Sequence, residues 1–143
     1  MQDYISVKET VYKLFSYADN HNWYELEHEI LASNVQLDYS SYGGEVAIKS
    51  GRTIAREWEA FFTKMDHTHH QCGNEIINIE NNSAKVTVYV TGGHYKVNHS
   101  NNNTWTNYGY YELSLKKAEG WRIDGIKYIF KYEEGNTQIP KLN

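Results

Sequence analysis

A single cysteine, Cys72, stands in the 143 residues, so neither an internal disulfide nor a paired-thiolate metal motif can form. Clustered positive charge is also missing. The net charge is −4, and the short basic patch Lys116-Lys117 is too small for a phosphate-backbone footprint, which excludes nucleic acid as a partner. No apolar run approaches the length of a bilayer span, so no membrane partner is expected. The opening residues Met1-Gln2-Asp3-Tyr4 lack the basic and apolar parts of a secretory signal, and a cytoplasmic location is expected. There is no phosphate-cradling glycine loop, dinucleotide fingerprint or serine nucleophile elbow. No cofactor is therefore expected, and any chemistry must come from acid–base side chains acting on a small organic molecule.

Aromatic residues, by contrast, are abundant. Thirteen Tyr, four Trp and four Phe supply large apolar surfaces, many with a hydroxyl at one end, which favours a lined cavity or an aromatic interface. The length suits one domain, 1–143, with a short C-terminal tail from about 135 in which Ile139-Pro140 ends the fold.

Val7, Val11, Leu14 and Phe15 recur at offsets of three and four, which predicts an amphipathic helix from Val7 to about Phe15, extended by Tyr4. The polar run from Tyr17 to Asn22 breaks that pattern. A second helix is expected from Trp23 to about Ile30, then a strand over Val35–Ser40, a Gly43-Gly44 turn, and a third helix from Thr53 to about Met65. Trp58, Phe61 and Phe62 lie on its apolar side. Strands follow near His70–Glu80, Ala84–Val97, Thr104–Lys117 and Gly120–Tyr132, joined by Asn-rich or Gly-containing turns. The fold class is α+β: three N-terminal helices packed on a strongly curved antiparallel β-sheet, enclosing a cone. Gly92-Gly93 and Gly109 are placed to supply the curvature.

Asp19 lies one helical turn beyond Phe15 and can point to the same interior. It reads equally as a cap for the next helix, a solvated acid, or a carboxylate that orients a histidine. Asp66-His67-Thr68-His69-His70 holds three of the seven histidines. If the backbone is extended, His67 and His69 share one side and His70 takes the other. A metal site would need a further ligand from Asp66, Cys72 or His94, none at diagnostic spacing, so no metal is expected. Cys72 reads as a small buried filler. An inward His94, after Gly92-Gly93, would offer a second polar contact. Tyr39, Tyr42, Tyr95, Tyr108, Tyr110 and Tyr111 are wall candidates that strand parity must divide between two faces.

These residues resemble the SnoaL-like branch of the nuclear-transport-factor-2-like (NTF2-like) superfamily, nearest its scytalone dehydratase-like group. The resemblance is carried by Val11-Tyr12 through Ala18-Asp19-Asn20-His21-Asn22-Trp23, by Val35 to Ser41, by Thr68-His69-His70-Gln71-Cys72-Gly73-Asn74, and by Gly120-Trp121-Arg122-Ile123-Asp124-Gly125. It implies the cone-shaped fold of that superfamily and four catalytic positions. Asp19 orients His70, Tyr39 helps to polarise a substrate carbonyl through water, and His94 is a second active-site histidine. Tyr39, His94, Tyr111, Trp58 and Phe62 are the expected substrate contacts. Two positions depart from the group: Ala18 replaces a carbonyl-polarising tyrosine, and Tyr111 stands for an asparagine on the late strand. A substrate smaller than scytalone, or differently hydroxylated, fits this wall better.

The implied activity is a lyase-type, cofactor-independent dehydration of a small hydroxylated carbonyl compound, with double-bond isomerisation available to the same groups. Two other classes compete: a non-catalytic small-molecule binding module, and an assembly domain whose open sheet face, around Trp105 and Trp121, meets another subunit. A homo-oligomer, dimer or trimer, is the expected assembly.

Overall fold

Val7, Val11, Leu14, Phe15 and Ala18 are all buried, so the first helix, α1 (Gln2–Asp19), lays one continuous face on the interior. It runs past the expected break because Ala18 extends the buried stripe. The helix closes where His21 adopts left-handed backbone (φ 59°) and the Asn22 N–H reaches back to the Tyr17 carbonyl at 2.8 Å. Asp19 thus occupies the last helical turn. The structure, a computed structural model, describes residues 1–142.

The second expected helix divides in two. A single turn, α2 (Trp23–Glu25), widens into a π-helical turn over Leu26–Ile30 that keeps Leu26 and Ile30 in the core. Strand β1 (Leu31–Asp38) begins four residues earlier than the alternation predicts, because Leu31 pairs with Ile123 and Asn34 with Ser50 of β2 (Val46–Ser50). The sequence pattern alone did not reveal β2. Both Val46 and Ile48 are exposed on this edge strand, so it shows no buried face. Ser50 then caps α3 (Gly51–Phe62), its side chain accepting from the Thr53 N–H at 3.0 Å.

Four long strands complete the sheet: β3 (His67–Glu80), β4 (Ser83–Tyr95), β5 (Thr104–Ala118) and β6 (Gly120–Gly135). The order is β2-β1-β6-β5-β4-β3, antiparallel throughout except for the β1–β6 pair. The result is three helices on a six-stranded, mostly antiparallel, curved open sheet. Register shifts fall between Gly73 and Ile76 on β3, and between Tyr108 and Gly109 and between Ser114 and Leu115 on β5. β4 pairs with both neighbours through Gly92-Gly93 without a register shift, so no bulge falls there.

Val86, Val88 and Val90 of β4, Leu113 and Leu115 of β5 and Ile123 and Ile126 of β6 form the sheet side of the core. Trp105 and Trp121 are both buried, which overturns the reading that placed them on an open face. Trp121 donates to Asp3 at the start of α1, and Trp105 packs with Met65 and Ile139 at the opposite end of the cone. The segment after β6 folds back on the body rather than trailing away: Ile139 is fully buried in a short 3₁₀ turn (Ile139–Lys141). No helix among the described residues is long and apolar enough to cross a membrane.

Gly109 is the glycine the curvature requires, since a β-carbon there would lie 2.3 Å from the Ile129 carbonyl oxygen. Replacement of Gly109 by Ala is expected to cost about 1–3 kcal/mol in urea unfolding. Gly73→Ala, with nothing within 4 Å of the added atom, should leave the midpoint unchanged.

Candidate active site

Two cross-strand rows bring the polar groups together. Thr68, His94 and Trp105 are register partners across β3, β4 and β5, and His70, Gly92 and Asn107 are the next inward-facing row. The end of α1 descends on the β3 side of both rows. Asp19 Oδ1 lies 2.7 Å from His70 Nδ1 and accepts from the Thr68 hydroxyl at 2.8 Å, while Oδ2 accepts the His70 backbone N–H at 2.6 Å. Burial pushes the Asp19 carboxyl up, but these donors and the charge of His70 outweigh it and hold the group below its ordinary value. An ionised carboxylate at Nδ1 requires a proton on that nitrogen, so Nε2 is left as the chemically available edge of the ring. Phe15 and Phe62 stack on the His70 ring at 6.1 and 5.6 Å between centroids and clamp its plane.

His94 meets His70 edge-on at 5.6 Å and stacks on Trp105 at 4.1 Å. Its Nδ1 faces the Trp105 carbonyl oxygen at 3.1 Å and therefore carries the hydrogen. Burial, and then the nearby charge of His70, lower the His94 pKa to about 4. His94 is accordingly neutral near pH 7, with a lone pair on Nε2. Deeper in the cone the Tyr39 and Tyr111 hydroxyls are 3.2 Å apart. Burial pushes the Tyr39 hydroxyl up to about 12 and that of Tyr111 well above its ordinary value, so both remain protonated hydrogen-bond donors.

These groups converge on a cavity of about 290 Å³. Tyr39, Tyr111, Trp58, Phe62, His70 and His94 line it, and Asp19 stands behind His70. Phe15, Phe61, Trp105, Asn107, Tyr128 and Pro140 also line it, although sequence reasoning did not assign them there, and Ala18 lines it at the position where the resemblance puts a tyrosine. Asn107 was within reach, because counting back by twos from Tyr111 along β5 crosses Gly109 and arrives at Asn107 on the same face. Pro140 carried no such signal, since its place depends on the chain folding back after β6. Tyr42 also joins the wall, whereas Tyr95 is exposed and Tyr110 stacks on Tyr89 on the outer face. A larger depression of about 540 Å³ on that outer face is lined by solvated groups such as Gln36, Lys85, Glu112 and Lys127 and has no converging buried polar atoms.

Among the described residues no Lys, Arg, Asp or Glu lines the inner cavity, so its charge chemistry rests on the Asp19–His70 pair. His67 and His69 turn outward, away from His70, and the described residues contain no cluster of His, Cys, Asp and Glu suited to a metal. Cys72 is half-buried against the core, and burial followed by the charge of Glu75 pushes its thiol up to about 11.

The depressed pKa of His94 has a consequence for stability. Between the ordinary histidine value of 6.5 and about 4, the unfolded chain binds a proton at this position that the native protein refuses. Stability is therefore lost as pH falls through that window. Urea unfolding from pH 7 to pH 4 should show His94→Phe losing less stability than wild type, by up to about 3 kcal/mol. Parallel pH profiles would remove His94 as the cause.

Compared with known proteins, residues 1–127 match the SnoaL-like domain family. Comparison with curated protein sequences gives no match. Among solved structures, the Kfla4162 protein from Kribbella flavida superposes with a TM-score of 0.92 at 19% identity, covering 99% of this chain and 98% of that one. A protein from Novosphingobium aromaticivorans named "Putative Scytalone Dehydratase" has a TM-score of 0.79 at 16% identity, covering 92% and 85%. The hexachlorocyclohexane dehydrochlorinase LinA type 2 has a TM-score of 0.76 at 12% identity, covering 93% and 88%. At these identities the likeness concerns the NTF2-like fold.

Proposed function

The chain belongs to the SnoaL-like family, and from that premise we propose that it is a cofactor-independent lyase dehydrating a small, uncharged, hydroxylated carbonyl compound. One observation carries the reading: the 2.7 Å contact between Asp19 and His70 Nδ1, with the opposite ring edge available to a small aromatic-walled cavity. Neighbours named as a dehydratase and a dehydrochlorinase use the same fold and support elimination as the reaction class. The substrate is uncharged because the wall offers no cation to a carboxylate or phosphate.

His70 Nε2 removes the proton next to the carbonyl. Asp19 holds the Nδ1–H and stabilises the imidazolium that results. The developing enolate oxygen is met by the protonated hydroxyls of Tyr39 and Tyr111, one of which donates to the other and leaves the second proton for the ligand. The imidazolium Nε2–H then protonates the departing β-hydroxyl, a carbon–carbon double bond forms, and water leaves. His94, neutral and with its proton committed to the Trp105 carbonyl, accepts a hydrogen bond from a ligand hydroxyl through Nε2. The flat faces of Trp58 and Phe62 hold the apolar part of the substrate. The reading includes a single domain spanning the chain and a cytoplasmic homo-oligomer, dimer or trimer.

A panel of hydroxy-carbonyl compounds, followed by the absorbance of the unsaturated product, tests this. His70→Ala should lower kcat by about 10²–10⁴-fold, and Asp19→Asn by at least about tenfold. Circular dichroism should report a folded chain in both variants. Turnover that survives both substitutions would exclude the pair from the chemistry, and saturable binding without turnover in wild type would assign a binding module instead.

A further inference from the structure

Gly92 separates His70 from Asn107 in the second inward row, and its lack of a side chain opens a gap between them. A β-carbon on Gly92 would lie 3.0 Å from Asn107 Oδ1 and 3.1 Å from His70 Nε2. The two polar atoms are therefore no further apart than two hydrogen bonds of about 3 Å laid end to end. Both residues line the cavity, so a ligand oxygen lying over Gly92 is within reach of both. The Tyr128 hydroxyl, kept protonated chiefly by burial, donates to Asn107 Oδ1 at 3.3 Å, and the same oxygen borders the gap over Gly92. Asn107 Oδ1 retains a second lone pair for another donor.

We infer that Asn107 selects the leaving group: its amide oxygen accepts a hydrogen bond from a departing hydroxyl while His70 Nε2 delivers a proton to that same oxygen. This rests on the elimination proposed above and assigns a residue, and a class of leaving group, that the elimination alone does not specify. The balance is simple. The C–H electron pair becomes the new π bond, the C–O bond breaks toward oxygen, the imidazolium proton completes the water molecule, and His70 returns to its neutral state. The hydroxyl keeps its own hydrogen throughout and points it at Asn107. A halide in the same position has no hydrogen to offer and places its lone pairs against the amide oxygen, so the site favours loss of water over loss of hydrogen halide.

The test uses a matched pair, 4-hydroxy-4-phenylbutan-2-one and 4-fluoro-4-phenylbutan-2-one, which eliminate to the same enone. Binding of each is titrated by tryptophan fluorescence, and turnover is followed by enone absorbance with the uncatalysed rate subtracted. In Asn107→Leu the hydroxyl-over-fluoride ratio, in Kd and in kcat/KM, should fall about tenfold, the scale of one hydrogen bond. Asn107→Asp keeps an acceptor oxygen and should retain most of the preference, and Asn107→Ala supplies the same ratio if Leu is not accommodated. A ratio unchanged within twofold in the Leu and Ala variants, or equal losses on both compounds, overturns the assignment. Wild type that binds both compounds and eliminates neither overturns the lyase reading, while the binding ratio still decides Asn107. Wild type that binds neither compound overturns both.

Discussion

One carboxylate ties the helical and β parts of this site together. Asp19, on the last turn of α1, accepts hydrogen bonds from the Thr68 hydroxyl, the His70 backbone and the His70 ring. Because the backbone contact involves the same residue as the ring contact, the carboxylate sets both the position of β3 under the helix and the tautomer of the imidazole. Removing one partner of this part-buried pair leaves hydrogen-bonding groups unpaired, typically a loss of about 1–3 kcal/mol. That explains why the register of β3, the end of α1 and the direction of His70 depend on one another.

The rest of the cavity keeps ionisation away from every other group. His94 is neutral because burial, reinforced by the charge that His70 takes on when it holds a proton, disfavours its charged form, and the buried tyrosines are held as neutral hydroxyls. A space walled by aromatic rings, with one acid–base pair, presents a proton acceptor at His70 Nε2, an acceptor at His94 Nε2 and donors at Tyr39 and Tyr111. Complementarity to this set is a matter of hydrogen-bond direction rather than net charge. Gly92 belongs to the same scheme: its value lies in the room it leaves for a histidine ring on one side and an amide on the other.

Much of the fold was legible because long amphipathic segments report their own period. The α1 stripe, the apolar side of α3 and the alternation of β4 and β5 identify helices and strands, and strand parity correctly separates His70 from His67 and His69. Where the pattern failed, the competing interaction is visible. β2 has no buried face and is defined by its pairing with β1. The π-helical turn after α2 depends on packing Leu26 and Ile30, and Trp105, which the pattern left open between core and subunit contact, is core because Met65 and Ile139 cover it.

For the site, the residues themselves determined the chemistry on offer: a carboxylate, two histidines and a set of tyrosines, with no thiolate pair, glycine loop or basic cluster to compete. Their spacing also determined which side of each strand a residue takes, since a two-residue period leaves no freedom there. Tertiary structure alone decided which of them meet. Asp19 and His70 are 51 positions apart, and Tyr39 and Tyr111 are 72 apart. Such meetings depend on strand register, sheet curvature and the seating of α1, none of which is a property of any local segment. The Pro140 wall enters the cavity for the same reason: closing a cone brings together residues whose neighbours in the chain carry no trace of the encounter, whereas strand parity alone already puts Asn107 on the Tyr111 face.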